Sequence, residues 1–163
     1  DLQKRSSERA EQMGIIFDRQ GRVHMPIRIG AAGFCGINLI PVDFFTRAFS
    51  AIMETATCGG VFHITNGRMK PIAELIDYIQ KYFRIKGLEA VQPERLSSGA
   101  RNRLETLFDR YVEAYKPYMR DERIFDNREA SAILNKYSIS CPDFDYNIFS
   151  TCMQYAESVN WGD

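Results

Sequence analysis

Apolar residues return at helical spacing over much of this chain. Phe44, Phe45, Ala48, Phe49, Ile52 and Met53 lie on one face of a helix that Asp43 is placed to cap. Pro41 and Val42 precede it. Ile72, Leu75, Ile76, Ile79, Tyr82 and Phe83 form a second stripe, with Pro71 placed at a first helical position. Leu104, Leu107, Phe108, Tyr111, Val112 and Tyr115 predict the longest helix, capped by Ser97 or Ser98 and stopped at Pro117. Ala130, Ile133 and Leu134 predict a short helix behind a capping-box-like Asp126 and Glu129. Cys141-Pro142 breaks the chain before a last helix over about 145–158.

Strand signals are fewer. Val23, Met25, Ile27 and Ile29 alternate with other residues, which predicts a half-buried strand, and Pro26 places it at a sheet edge. Residues 38–42 and 61–65 read as two further strands, the second buried. Near the start, residues 3–13 are charged and suit a short helix, 14–17 are apolar, and 18–21 form a turn. The predicted class is α/β, helix-rich, with about five helices and a few short strands.

At 163 residues the chain can bury a core. Its natural segments are an N-terminal helix and turn (1–22), a strand-helix-strand-helix segment (23–96) and a helical lid (97–163), read together as one substrate-binding domain or fragment. Twenty-one basic residues balance twenty-one acidic ones without a basic block, which argues against nucleic acid as a partner. No apolar run approaches the roughly 20 residues that span a bilayer. Cys35, Cys58, Cys141 and Cys152 are widely spaced, and neither His24 nor His63 joins them at zinc-site spacing. They read as reduced thiols of a cytoplasmic protein. The chain opens at Asp1 with no signal-peptide pattern, which reads as a piece cut from a longer protein.

Two motifs suggest nicotinamide chemistry. Gly30-Ala31-Ala32-Gly33-Phe34-Cys35-Gly36 spells a dinucleotide-binding fingerprint, with Arg68 placed where a 2′-phosphate reader would lie. Such a loop needs a helix starting at its glycines, so that the helix N-terminus meets the pyrophosphate. Pro41 would fall inside that helix at a cost of about 3 kcal/mol or more. Pro26 and Arg28 also suit a central, doubly covered strand poorly. Tyr82 and Lys86 have the Y-x-x-x-K spacing of a tyrosine activated by a lysine one turn away. Tyr82 lies on an apolar stripe, however, and reads as core packing.

The segment I-N-L-I-P-V-D-F-F, the later G-G-V-F-H-I-T-N, the helix M-K-P-I-A-E-L-I-D-Y-I, then I-F-D-N-R-E-A and the closing C-P-D-F-D resemble, in that order, part of the extended short-chain dehydrogenase/reductases. The resemblance is to the C-terminal, substrate-side region of the fatty-acyl-CoA reductase, thioester reductase and epimerase branch, and covers most of 23–162. It implies a parent enzyme that uses NADP or NAD on an acyl thioester, a related carbonyl or a sugar nucleotide. The cofactor would be held by an N-terminal half of the same protein. This chain alone would bind neither cofactor nor metal and would carry no catalytic residue. It would instead contribute part of the pocket for a small-molecule substrate.

Asn66, beyond the C-terminal end of the predicted 61–65 strand, is the first pocket residue on this reading, followed by His63 and by Arg101, which could meet a substrate phosphate. Each also has a plain structural role available: a turn pair with Gly67, a hydrogen-bonded core histidine, a solvated helix face. Arg120-Asp121-Glu122-Arg123 reads as a surface ion-pair patch. A chain lacking its partner half should expose apolar surface and self-associate. Two alternatives stay open: a non-enzymatic α/β interaction or small-ligand module, and a compact dinucleotide-binding domain built on Gly30–Gly36.

Overall fold

A computed structural model describes residues 10–19, 22–31, 36–56, 59–97, 99–119 and 123–162. Within them run five strands, β1 (Ile16–Phe17), β2 (Val23–Gly30), β3 (Gly36–Ile37), β4 (Lys70–Pro71) and β5 (Ile85–Val91). The helices are α1 (Val42–Thr55), α2 (Ile72–Phe83), α3 (Pro93–Ser97), α4 (Arg103–Tyr111), α5 (Lys116–Met119), α6 (Arg128–Lys136) and α7 (Tyr146–Ser158). α1, α2, α4, α6 and α7 each have nine residues or more, so the α/β, helix-rich class with about five helices and a few short strands is the observed one. Of the N-terminal helix expected over 3–13, residues 10–13 are described; 10–12 are helical and Met13 lies in a turn.

The described chain forms two compact units. One compact unit comprises Asp1–Gly36 and Pro71–Asp121; the other comprises Ile37–Lys70 and Glu122–Asp163.

The first unit is built on a three-stranded sheet ordered β1-β2-β5, with β1 antiparallel and β5 parallel to β2. Asp18 shapes the β1–β2 connection: its carboxylate accepts from the backbone N–H of Arg22 and pairs with the Arg22 guanidinium. Pro26 does not make β2 an edge strand. The ladder to β5 is irregular between His24 and Ile27, so the missing N–H of Pro26 falls at a bulge, where proline is tolerated. Gly87 sits opposite at φ +91°, and a Cβ there would lie 2.8 Å from the Met25 carbonyl oxygen. Ile27, Ile29 and Leu88 are buried in the sheet, with Ile72 and Ile76 of α2, Leu96 of α3 and Leu104 of α4 also buried in this unit.

β5 is a strand that the sequence reading ran together with the end of α2. Arg84, in the left-handed region at φ 54°, ends α2 and turns the chain into β5. Tyr82 is therefore helical and Lys86 is in a strand, so the two do not share a helix turn. Tyr82 is half-buried with its ring edge-on to Phe83, centroids 5.0 Å apart.

α4 is not capped by Ser97 or Ser98. Ser97 closes α3, Ser98 lies outside the described residues, and Asn102 is the cap. The Asn102 carboxamide accepts from the Glu105 N–H while the Glu105 carboxylate accepts from the Asn102 N–H. Nor does the helix run on to Pro117. It ends at Tyr111, passes through a 3-10 turn at Glu113–Tyr115, and Pro117 lies in the first turn of α5, where its missing N–H costs nothing. α1, at 14 residues, is the longest described helix.

In the second unit α1 packs on α6, and Phe44, Ala48, Ala51 and Leu134 form the core with Ile40, Ile64, Ile139 and Cys141 against it. Phe44 is 2% exposed. Asp43 is not the cap of α1. Pro41 holds that position, and Asp43 stands in the first turn, where a negative charge meets the positive end of the helix dipole. The strand expected over 38–42 is absent: β3 ends at Ile37, residues 38–41 are irregular and Val42 already belongs to α1.

The buried strand expected over 61–65 is absent: this segment is irregular, and Val61 is 78% exposed. Side-chain amides meet the carbonyls at its C-terminal end. Asn127 Nδ2 lies 3.5 Å from the Thr65 carbonyl oxygen, and Asn38 Nδ2 donates to the Asn66 carbonyl at 2.9 Å. α6 begins after Asn127 without a side-chain cap, because Asp126 instead accepts from the N–H and guanidinium of Arg128. α7 starts as expected, with Asp145 accepting from the Ile148 N–H.

Candidate functional site

The second unit contains an open cavity of about 390 Å³. Its walls come from the 65–68 turn, the start and exposed side of α6, and the 139–141 segment, with Phe44 contributing from α1. Thr65, Asn66, Arg68, Asn127, Ser131, Asn135 and Ser140 supply polar groups, and Leu134 and Ile139 apolar ones.

Asn66 is the hub of this turn. Its N–H donates to Asn38 Oδ1 at 2.9 Å, and its Nδ2 lies 3.3 Å from the carbonyl oxygens of both Leu39 and Pro142. Its Oδ1 accepts from the Arg68 N–H at 3.1 Å, an Asx-type turn. One side chain thus joins three separate segments and lines the cavity as well. Arg68 itself is exposed.

His63 belongs to the same unit but not to the cavity wall. Its Nδ1 is 3.0 Å from the Asp126 carbonyl oxygen, and its ring lies 5.3 Å from that of Phe125. The side-chain hydrogen bond from Arg128 is the main cause that holds the Asp126 carboxyl down at about 2.

Cys141 lines the cavity, and burial raises its thiol pKa, with Asp143 and Asp43 pushing in the same direction. It is therefore a neutral wall group at pH 7 rather than a thiolate nucleophile. Asp143 is itself 3.6 Å from the ammonium of Lys70, which is 3% exposed. Cys152 is a free, exposed thiol, whereas Cys35 and Cys58 lie outside the described residues.

Arg101 belongs to the first unit. Its guanidinium pairs with Asp109, which also meets Lys116 Nζ at 3.4 Å. These three, with Leu96 and Phe108, line a recess of only about 20 Å³. Arg103 is the exposed first residue of α4. Of the 120–123 patch only Arg123 is described.

Ala32 to Cys35 of the glycine motif lie outside the described residues, but its flanks are informative. Gly30 closes β2, and a Cβ there would meet Leu96 Cδ1 at 2.6 Å, so close packing by α3 accounts for this glycine. Gly36 opens β3, and the next helix begins only at Val42. No described helix N-terminus stands at the glycines to face a pyrophosphate. The residues described here do not fit a dinucleotide cradle. Among the described residues no three His, Cys, Asp or Glu gather as a metal site, and no helix is long and apolar enough to cross a membrane.

Polar cavity residues to which the sequence reading gave no site role include Asn127, Ser131, Asn135 and Ser140. Ser131 and Asn135 are spaced i, i+4 on α6, and the spacing alone carries no sign of a cavity. Arg68 was singled out, but for a different ligand.

No family model matches this chain, and no curated protein does. Among solved structures, the terminal R domain from the myxalamid PKS-NRPS biosynthetic pathway is similar to it, with 17% sequence identity and a TM-score of 0.52. The match covers 82% of this chain and 36% of that one, so the chain spans about a third of the R domain's length. At that identity the likeness establishes a shared α/β fold.

Proposed function

We propose that this chain is the substrate-binding part of an NAD(P)-dependent oxidoreductase that acts on an acyl thioester or a related carbonyl compound. The observation that carries this reading is the fold shared with the R domain over 82% of the chain. The order of motifs from Ile37 to the closing C-P-D-F-D supports it independently, since it resembles the thioester reductase branch. The cavity supplies a place for substrate: Asn66 holds its turn in shape, His63 secures the neighbouring 125–126 segment, and Arg68 and α6 face the ligand. Arg101, paired with Asp109, is the residue of the first unit that the sequence offers to an anionic substrate group.

The nicotinamide cofactor belongs, on this reading, to another part of the same protein. Hydride transfer and the accompanying proton transfer are its task, and this chain binds and orients the acyl group. The test is to express the chain together with the sequence that flanks it in its gene. Consumption of NADPH or NADH is then followed with a short acyl thioester. The longer protein should reduce the thioester and the 163-residue chain alone should not. Turnover by the chain alone, or no nicotinamide binding by the longer protein, overturns the reading.

A further inference from the structure

The cavity walls hold one cation and several uncommitted neutral dipoles. Among the described residues, the side chains of Arg68, Ser131, Asn135 and Ser140 make no hydrogen bond or ion pair, although all four line the cavity. Two nearby carboxylates are engaged elsewhere: Asp126 is held by Arg128, and Asp143 by Lys70. The lining itself contains no carboxylate. The Arg68 N–H is fixed by Asn66 Oδ1, which anchors the guanidinium's starting point at the cavity rim.

We propose that this cavity binds its ligand through an anionic group, a phosphate or a carboxylate, seated on the Arg68 guanidinium, with Ser131, Asn135 and Ser140 hydrogen-bonding the adjoining neutral portion. A planar guanidinium gives either oxyanion two parallel N–H donors, which a lysine cannot. The inference deepens the reading of this unit as a substrate-binding part: the substrate carries an anion near its bound end.

Amide NMR of the protein, titrated with methyl phosphate and with acetate at fixed ionic strength, provides the test. Saturable shifts should concentrate at Gly67, Arg68, Ser131 and Ser140, and the tighter probe identifies which oxyanion the site prefers. Arg68→Gln should weaken binding about tenfold or more, the usual scale for losing a charge-assisted pair. Arg68→Lys should recover part of that loss. Because Arg68 is exposed, both variants should keep the wild-type circular dichroism. Shifts scattered over surface cations and unaffected by Arg68→Gln, or no saturable binding by either probe, overturn the proposal. The titration uses no nicotinamide, so its failure is distinguishable from failure of thioester reduction in the longer protein.

Discussion

Arg28 argued in the sequence against a buried strand, and the folded chain resolves it with one carboxylate. Glu105 is 3% exposed; its Oε1 accepts from Arg28 Nε at 2.6 Å, its Oε2 from Arg28 Nη2 at 2.9 Å, and Oε1 also from the Arg28 N–H. The Arg28 hydrogen bond is the main cause that lowers the Glu105 pKa to about 2 from 4.5, against an opposing push from burial. A carboxylate whose folded pKa lies below its unfolded value stabilises the fold at neutral pH, and loses that contribution as pH falls from about 4.5 towards about 2. The contribution is at most about 3.5 kcal/mol, on the scale of ~1.4 kcal/mol per pKa unit. Glu105→Gln should therefore lower urea-unfolding stability at pH 7 by about that amount, and the gap from wild type should narrow as pH falls from about 4.5 towards about 2, where the wild-type carboxyl takes up its proton. A constant gap from pH 7 to pH 2 would show that packing, not charge, carries the effect. The partnership between residues 28 and 105 joins positions 77 apart, and no local pattern in the sequence announces it.

At the scale of elements, what was legible was what a helix can state by itself. α1, α2 and α6 were read from apolar spacing, because burial of one face at 3.6-residue periodicity leaves its mark within a single segment. Strands depend on partners elsewhere, and there the reading failed both ways. V-F-H-I-T has strand composition but no ladder, and side-chain amides of Asn127 and Asn38 meet the carbonyls of Thr65 and of Asn66 just beyond it. I-K-G-L-E-A-V has weak alternation and a glycine, and only Leu88 is buried, yet it pairs in parallel with β2. The cavity was glimpsed through Asn66, because a residue after a supposed strand is a natural pocket candidate. Its walls from α6 and from 139–141 depend on packing that residue spacing does not encode.

Caps were the other blind spot, since Asn102 was passed over for Ser97 and Ser98. It both caps α4 and donates from Nδ2 to the Pro26 carbonyl at 2.7 Å, tying the helix start to the β2 bulge. Asn102→Ala removes both links. A cap loss of ~1 kcal/mol and a side-chain hydrogen bond of similar size give about 2 kcal/mol, measurable by chemical denaturation. Asn102→Asp should recover the cap share alone, because a carboxylate accepts but cannot donate to Pro26.

At the scale of the whole molecule, α1 carries more apolar surface than its core needs. Phe44, Ala48, Ala51 and Ile52 are buried, while Val42, Phe45, Phe49 and Met53 are 79%, 43%, 49% and 65% exposed. The exposed four are spaced three, four and four residues apart, so they form a second stripe along the helix, and the rings of Phe45 and Phe49 stack at 6.0 Å. A continuous apolar strip of this kind is an association surface. The proposed partner half of the same protein would be one occupant; in solution a second copy of this chain is the available one. Sedimentation velocity should therefore find a weight-average mass that rises above 18.8 kDa with concentration. Phe45→Glu combined with Phe49→Lys should return the protein to a monomer without unfolding it, because neither ring belongs to the Phe44, Ala48, Ala51 and Leu134 core. The opposite charges one turn apart also preserve the helix. A wild-type chain that stays monomeric at every concentration reached would remove self-association from the account and leave the stripe without a function in the isolated chain.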